Sequence, residues 1–294
     1  MTDTLPMPIT APFTPAQRSQ IINLIRRAAR TEIMPRFRRL SAHQVAEKTG
    51  AQDLVTEADK AAEEMIARGL QGMFPHALVV GEEYASEHPE ILDRIKDAEL
   101  CFTIDPVDGT WNYAKGLPLF GVMLSALRFG VPVFGLLYDP VVNDFILADS
   151  ENPAVLQMPR GLRREVSTSD GGAIEDLVGF VPLSLIPAEK RGQMAAAMTR
   201  FARVNSLRCA CHEARMIAQG HADFVLFSKL TAWDQPPGAI VMKQAGAHVA
   251  MLDGSEYRAD VKTGYFLAAS DAATWGRVRD LFDFLLDPAS DAEA

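Results

Sequence analysis

The run Leu100-Cys101-Phe102-Thr103-Ile104 is short, apolar and partly β-branched, and it leads straight into Asp105-Pro106-Val107-Asp108-Gly109. The first stretch reads as a buried strand and the second as turn chemistry. A plain turn needs one Asp or Asn at most. Two carboxylates this close at a strand end repel each other unless positive charge lies between them. Whatever this chain folds into must bury that strand and still admit a cation at its end.

The rest of the chain supplies partners for such a strand. Thr14 caps a helix running toward Pro35, with Pro15 in its first turn, Gln17 completing a capping box, and Ile21, Leu24, Ile25 and Ala28 as its apolar face. "SAHQVAEKTGAQ" (41–52) reads as a loop, "DLVT" as a short strand, and Thr56 as the cap of a second helix. "ALVVGEEY" is a strand ending in Gly81-Glu82-Glu83, and "HPEILDRIKDAE" a short helix or loop. The most apolar stretch, residues 117–140, holds Arg128 in its middle and is punctuated by Gly130 and Pro132. It reads as two strands joined by a tight turn, not as a membrane span. "DFILAD" is one more strand.

The pattern breaks between Ser150 and Arg164. The expected division is a loose tail at 1–13, an α+β half at 14–150 and an α/β half at 151–294. The second half alternates. A strand at "DLVGFVP" precedes helices at "AEKRGQMAAAMTRFARV" and "CACHEARMIAQG". A strand at "ADFVLF", a helix after Asp234, strands at "AHVAML" and "YFLAAS", and a last helix from Asp271 to Leu286 follow.

The 294 residues carry a formal charge of −9, which argues against nucleic acid or an anionic membrane as a general partner. Three cysteines in a chain this long, with no signal peptide at the start, point to a reducing, cytoplasmic setting.

Acidic residues mark other element ends as well. Glu82 and Glu83 close one strand, Asp59 sits in the first turn of a helix, and Asp234 in "TAWDQPPGA" precedes another. Each has a bland reading: a solvated loop for the glutamates, the helix dipole for Asp59, an N-cap for Asp234. Together, oxygen ligands drawn from strand ends suit Mg²⁺. "CACHE" places Cys209 and His212 on one helix face, but small core residues beside a surface His explain it better than a metal site.

In order and spacing, "KTGAQDLVTEAD", "GEE", "DPVDGTWNY" and "WDQPPGAIVMKQAGA" resemble the Mg²⁺-dependent, lithium-sensitive phosphatases of the inositol monophosphatase family. The resemblance covers nearly the whole chain from about residue 20. It implies a layered αβαβα sandwich, of α+β then α/β character, with the site between the halves. It implies that Glu82, Asp105 and the carbonyl of Val107 hold one Mg²⁺, that Asp105, Asp108 and Asp234 hold a second, and that a third, looser ion leans on Glu82. Asp59 and Thr110 would orient the attacking water, Glu83 would support them, and Gly109 and Thr110 would offer N–H groups to phosphate. Lys48 matches a lysine on a mobile loop. Homodimers are usual in that family. Two cations about 3.5–4 Å apart would serve the attacking and leaving oxygens of an in-line displacement.

The substrate side departs from the family pattern. The glycine-rich stretch with its Asn-Gly is here "ADSENPAVLQMPRGLRRE". Arg208 replaces a glycine, Phe227 stands where the inositol enzymes have a glutamate, Lys229 follows it, and prolines enter "WDQPPG". One reading has Arg208 or Lys229 bind a second anionic group and Phe227 favour a less hydroxylated leaving group; the other has the Arg and Lys on the surface, covering apolar area. The expected activity is a phosphomonoesterase for a small phosphorylated polyol, sugar or related metabolite. Histidinol phosphate, a sugar bisphosphate and 3′-phosphoadenosine phosphate are rivals within the family. A non-catalytic binder of phospho-ligands or of a protein partner, and an aspartyl-phosphate mechanism, are rivals outside it.

Overall fold

The computed structural model describes residues 13–41, 44–50 and 53–287. Most of the expected tail therefore lies outside the described residues. Phe13, its last residue, is part of the core: its ring meets Phe74, Phe102 and Phe134 at centroid distances of 5.3, 5.6 and 5.3 Å.

Helix α1 (Pro15–Ala28) has the expected Thr14–Gln17 capping box and passes into a π turn at Ala29–Ile33. The segment expected as a loop instead contains strand β1 (Val45–Gly50), paired antiparallel with β2 (Asp53–Thr56). Its pattern is mostly polar because it pairs with β2 alone. Helix α2 (Glu57–Met73) leads to β3 (Leu78–Gly81), short helix α3 (Glu82–Glu87) and a 3₁₀ segment at Pro89–Asp97.

Strand β4 (Cys101–Asp108) is buried along its whole length and is followed by the short helix α4 (Thr110–Ala114). Strands β5 (Gly121–Arg128) and β6 (Val131–Asp139) form the hairpin read from the apolar stretch. Phe129 and Gly130 at its tip both have positive φ, the combination of the turn type that matches strand twist. Strands β7 (Asp144–Asp149), β8 (Asn152–Gln157) and β9 (Arg163–Glu165) complete a seven-stranded sheet of order β3-β4-β5-β6-β7-β8-β9. The sheet thus runs past the break at Ser150 as far as Glu165. Strands β8 and β9 lie at its outer edge, where exposed residues dilute the apolar signal.

The second sheet, order β11-β10-β12-β14-β13, uses β10 (Val178–Phe180), β11 (Arg203–Asn205), β12 (Phe224–Phe227), β13 (His248–Met251) and β14 (Phe266–Ala269). Helix α5 (Arg191–Met198) stops short of the expected end, because Phe201 turns into the core and Arg203–Asn205 joins β10 as a parallel edge. Helices α6 (Ala210–Ala218), α7 (Gln235–Gln244) and α8 (Ala272–Leu281) follow, the last ending before the expected Leu286 and passing into a 3₁₀ turn at Asp283–Leu285.

The layer order follows from which faces bury each other. Ile21, Ile25, Ala62 and Ile66 of α1 and α2 pack with Phe102, Ile104, Val122 and Leu124 on one face of the large sheet. Met123, Leu137 and Ile146 on its other face meet Ala214, Ile217, Val241 and Met242 of α6 and α7, together with Val225 and Phe266 of the second sheet. Phe224, Leu226 and Leu267 on that sheet's far face pack with Met194 of α5 and Val278 of α8. The result is an αβαβα sandwich. It brings the end of β4 against the N-terminal ends of α6 and α7.

Candidate active site

Asp105 and Asp108 stand where β4 leaves its regular pairing: the register with β5 shifts between them. Asp105 Oδ1 accepts the N–H of Val107 at 3.0 Å. Asp108 reaches across to α6, accepting from Ala210 N–H at 3.1 Å and Cys211 N–H at 2.6 Å, and from Cys209 Sγ at 3.0 Å. It supplies the N-terminal cap that Cys209, in the N-cap position, does not. Cys209 and Cys211 are buried, as expected of small core residues. His212 is partly buried rather than on the surface, with its Nε2 3.2 Å from the carbonyl of Phe120.

Asp234 occupies the N-cap position of α7 without making a side-chain cap bond, so the bland reading of that residue does not hold. Pro236 and Pro237 fit in the first turn, where N–H groups have no helical partner. Buried Gln235 ties the preceding loop down, accepting from Thr231 N–H at 2.8 Å and donating to the carbonyl of Lys229 at 3.3 Å.

One carboxylate oxygen each from Asp105, Asp108 and Asp234 lies within 4.8 Å of the others. Burial raises Asp105 well above the carboxylate range, and Glu82, Asp108, Asp234 and Asp59 add to the shift. Burial also raises Asp108, against the hydrogen bonds from α6. Asp234 is pushed up to about 7 by burial, then by Asp108 and Glu82, with Lys229 pulling the other way. An all-oxygen acidic cluster in this state fits a hard divalent cation, which would relieve the repulsion that now favours protonation.

Asp59 lies at the third position of α2, fully buried. Its Oδ2 accepts from Thr56 N–H at 3.0 Å and Thr56 O–H at 2.5 Å, and its Oδ1 from Thr110 O–H at 3.2 Å. Burial raises its pKa to about 7, opposed by Thr56 and reinforced by Glu83 and Glu82. Thr110 Oγ1 also lies 3.0 Å from the carbonyl of Val107. Gly109 has φ +87, and a side chain there would press on the Leu119 carbonyl at 3.0 Å.

Glu82 and Glu83 open α3 rather than extending β3. Lys48 Nζ bridges them at 2.7 and 2.6 Å. Burial alone would lower the lysine, but these two carboxylates outweigh it and raise its pKa. Burial raises Glu83, and the Lys48 bond opposes the shift. Glu82 therefore faces Lys48 at the edge of the Asp105–Asp108–Asp234 cluster.

Two supporting acids lie outside the expected site. Glu63 accepts the N–H groups of Glu83 and Tyr84, both at 2.8 Å, and so anchors the start of α3. Glu213 accepts Leu207 N–H at 2.7 Å and holds the loop before α6. The legible signal for Glu63 was its spacing from Asp59, which puts an acid on the buried face of α2. Gly81 leaves room for it: a Cβ built there would collide with the Glu63 carboxylate. Gly81→Ala is expected to cost about 1–3 kcal/mol, read as a lower Tm, because the carboxylate cannot yield without losing the cap.

On the substrate side, Arg208 stands at φ +54, a left-handed conformation that glycine adopts freely, and its guanidinium lies 4.2 Å from the centroid of Trp111. Lys229 is exposed and lies close enough to Asp234 to oppose the rise in its pKa. Phe227 is instead buried in the core, its ring 5.7 Å from that of Phe266. That placement gives it a packing role.

Five alternating layers make a class of sandwich that here carries a buried all-oxygen acidic cluster able to hold a metal ion. Within that class the chain belongs to the inositol monophosphatase family, whose model matches residues 16–282. A fructose-1,6-bisphosphatase/inositol-1-monophosphatase of Thermotoga maritima is 29% identical over 222 residues, covering 76% of this chain and 80% of that protein. A protein of Vibrio cholerae named Nus factor SuhB is 27% identical, covering 85% and 91%. Among solved structures, the IMPase of Thermotoga maritima superposes with a TM-score of 0.75 at 24% identity, covering 92% and 98%.

Proposed function

We propose that this protein is a Mg²⁺-dependent phosphomonoesterase that transfers phosphoryl from a small phosphorylated polyol, sugar or related metabolite directly to water. The observation that carries the proposal is the convergence of Asp105, Asp108 and Asp234, with the hydrogen-bonded Asp59–Thr110 pair, from α2 and α4, beside the end of β4. These three aspartates, with Glu82 and the Val107 carbonyl, would hold two or three Mg²⁺ ions. When bound, the ions would neutralise the phosphate and acidify water at the site.

The chain's own groups do the rest. Asp59, with a pKa of about 7, can hold a proton at Oδ1 near neutral pH, and Thr110 aligns that oxygen. The N–H groups of Gly109 and Thr110 are assigned to the phosphate, and Glu83 with Lys48 buffers the charge around Glu82. Arg208 and Lys229 are assigned to a second anionic group on the substrate. The three cysteines are free and buried, which supports a cytoplasmic setting, and no described helix is long and apolar enough to cross a membrane. A homodimer is part of the proposal, and nucleic acid is not.

The second reading is a binder without turnover, favoured by relatives that carry the name Nus factor. Phosphate release from a panel of phosphomonoesters, with Mg²⁺ and with EDTA, separates the two. Turnover only with Mg²⁺ is expected. Mg²⁺ binding without turnover of any ester would favour the binder, and failure to bind Mg²⁺ would remove the metal assignment.

Stability should report the same charges. Asp59 and Asp234 both titrate near 7 in the folded protein, above the ordinary value of 3.8. Between those values the folded chain holds protons that the unfolded chain has lost. Their contribution is therefore full at acid pH and disappears as pH rises through about 7. In EDTA, Tm is expected to be higher at pH 5.5 than at pH 8, by several degrees. Mg²⁺ should raise Tm more at pH 8, where no proton has to leave first. A Tm in EDTA that rises with pH would contradict this account.

A further inference from the structure

A second concavity, of about 370 Å³, lies between the end of α1, the tip of β6 and the β8–β9 hairpin. Its volume is at the small end for sites that enclose metabolite-sized molecules. None of the carboxylates of the candidate active site lines it. Arg26, Arg30, Tyr138, Asn143, Gln157 and Arg160 do.

Three observations give this pocket a sign and a degree of order. First, the residues that line it include three arginines and no acid. Among the described residues, Arg26, Arg30 and Arg160 have no ion-pair partner. Asp139 and Asp144 lie close enough to Tyr138 to act on its hydroxyl, but neither lines the pocket. Asp144 pairs with Arg215, and Asp139 accepts the N–H groups of Val141 and Val142 at 2.8 and 3.3 Å.

Second, Arg26 is held in place and incompletely satisfied. Its guanidinium lies 5.1 Å from the centroid of Phe145, and its Nε is buried with no hydrogen-bond partner. Tyr138 donates its hydroxyl to Asn143 Oδ1 at 3.0 Å, so the polar wall is also organised.

Third, the basic residues are concentrated against the trend of the whole chain. Residues 14–41 carry seven arginines and one acid, Glu32, in a protein of net charge −9. The segment that departs from the family pattern, "MPRGLRRE", adds Arg160 at a left-handed backbone position, φ +64, directly before Gly161.

We propose that this pocket is a metal-independent binding site for a small phosphate-bearing anion, held by the guanidinium groups of Arg26, Arg30 and Arg160. Guanidinium forks match phosphate oxygens in pairs, and three of them suit a ligand with more than one negative charge. The amide side chains of Asn143 and Gln157 add neutral donors for the remaining oxygens. The ligand is a small molecule because the concavity holds only about 370 Å³.

The acidic site offers a clean control, since it repels phosphate unless divalent cations are present. Titration of the full-length protein with inorganic pyrophosphate in EDTA therefore reads metal-free anion binding, and substitution of the pocket arginines separates this pocket from Arg208 and Lys229. Wild-type protein is expected to bind, with calorimetric heat and a rise in Tm. Arg30 and Arg160 are exposed, so Arg30→Gln combined with Arg160→Gln should fold normally and weaken binding by about tenfold or more. Asp105→Asn should leave this affinity unchanged. No binding by the wild-type protein at millimolar pyrophosphate would overturn the proposal and leave the arginines as a solvated surface. Binding that survives the double substitution would overturn it equally.

Discussion

Asp105→Asn is expected to abolish Mg²⁺-dependent phosphate release while raising the Tm of the metal-free protein. Both effects come from one carboxylate. Asp105 is buried against Glu82, Asp108, Asp234 and Asp59, all of which disfavour its charge. An amide removes that repulsion and keeps the acceptor for the Val107 N–H. The gain should be about 0.5–2 kcal/mol near pH 8, a few degrees in Tm. Activity should fall by more than about 100-fold, the upper loss seen when only the outer support of a metal ligand is removed. Phosphate release, calorimetric Mg²⁺ titration and a melt in EDTA check the three parts. Full activity in the variant would remove Asp105 from the metal site. Unchanged stability would mean that the cluster is already neutral in the metal-free fold.

Asp59→Asn separates proton handling from metal binding. Among the described residues it shares no hydrogen bond with a cluster aspartate, but it accepts from both Thr56 and Thr110. An asparagine can keep its oxygen toward Thr56 and preserve the helix cap. Its amide then faces Thr110, whose hydroxyl retains the Val107 carbonyl as acceptor. The fold and Mg²⁺ affinity should survive, with kcat lower by about 10²–10⁴-fold and little change in KM. A loss confined to KM would assign Asp59 to substrate binding instead.

The chemistry-bearing positions are legible in the sequence because they are local. An apolar run that ends in "DPVDGT" needs no knowledge of the rest of the fold to be read as a buried strand carrying surplus acids. The capping boxes at Thr14 and Thr56 are local as well, and both are present. Edge elements are less legible. Strand β1 and the β8–β9 hairpin expose much of their surface, so hydrophobic periodicity, the main signal, is weak there. Phe227 shows what local pattern leaves out: its ring packs on Phe266 of a neighbouring strand, a contact no sequence window displays.

Local pattern thus marks which residues carry charge at the ends of buried strands, because burial and turn chemistry leave their trace within a few positions. Tertiary packing decides what those residues meet. Val122 and Met123 are neighbours in one strand yet belong to different layers, and no local pattern says which helices cover each face. Asp108 finds the start of α6 about a hundred residues away, Glu63 finds α3, and Arg160 is brought to the same pocket as Arg26. Such pairings depend on which apolar faces exclude water from each other, a property of the whole chain.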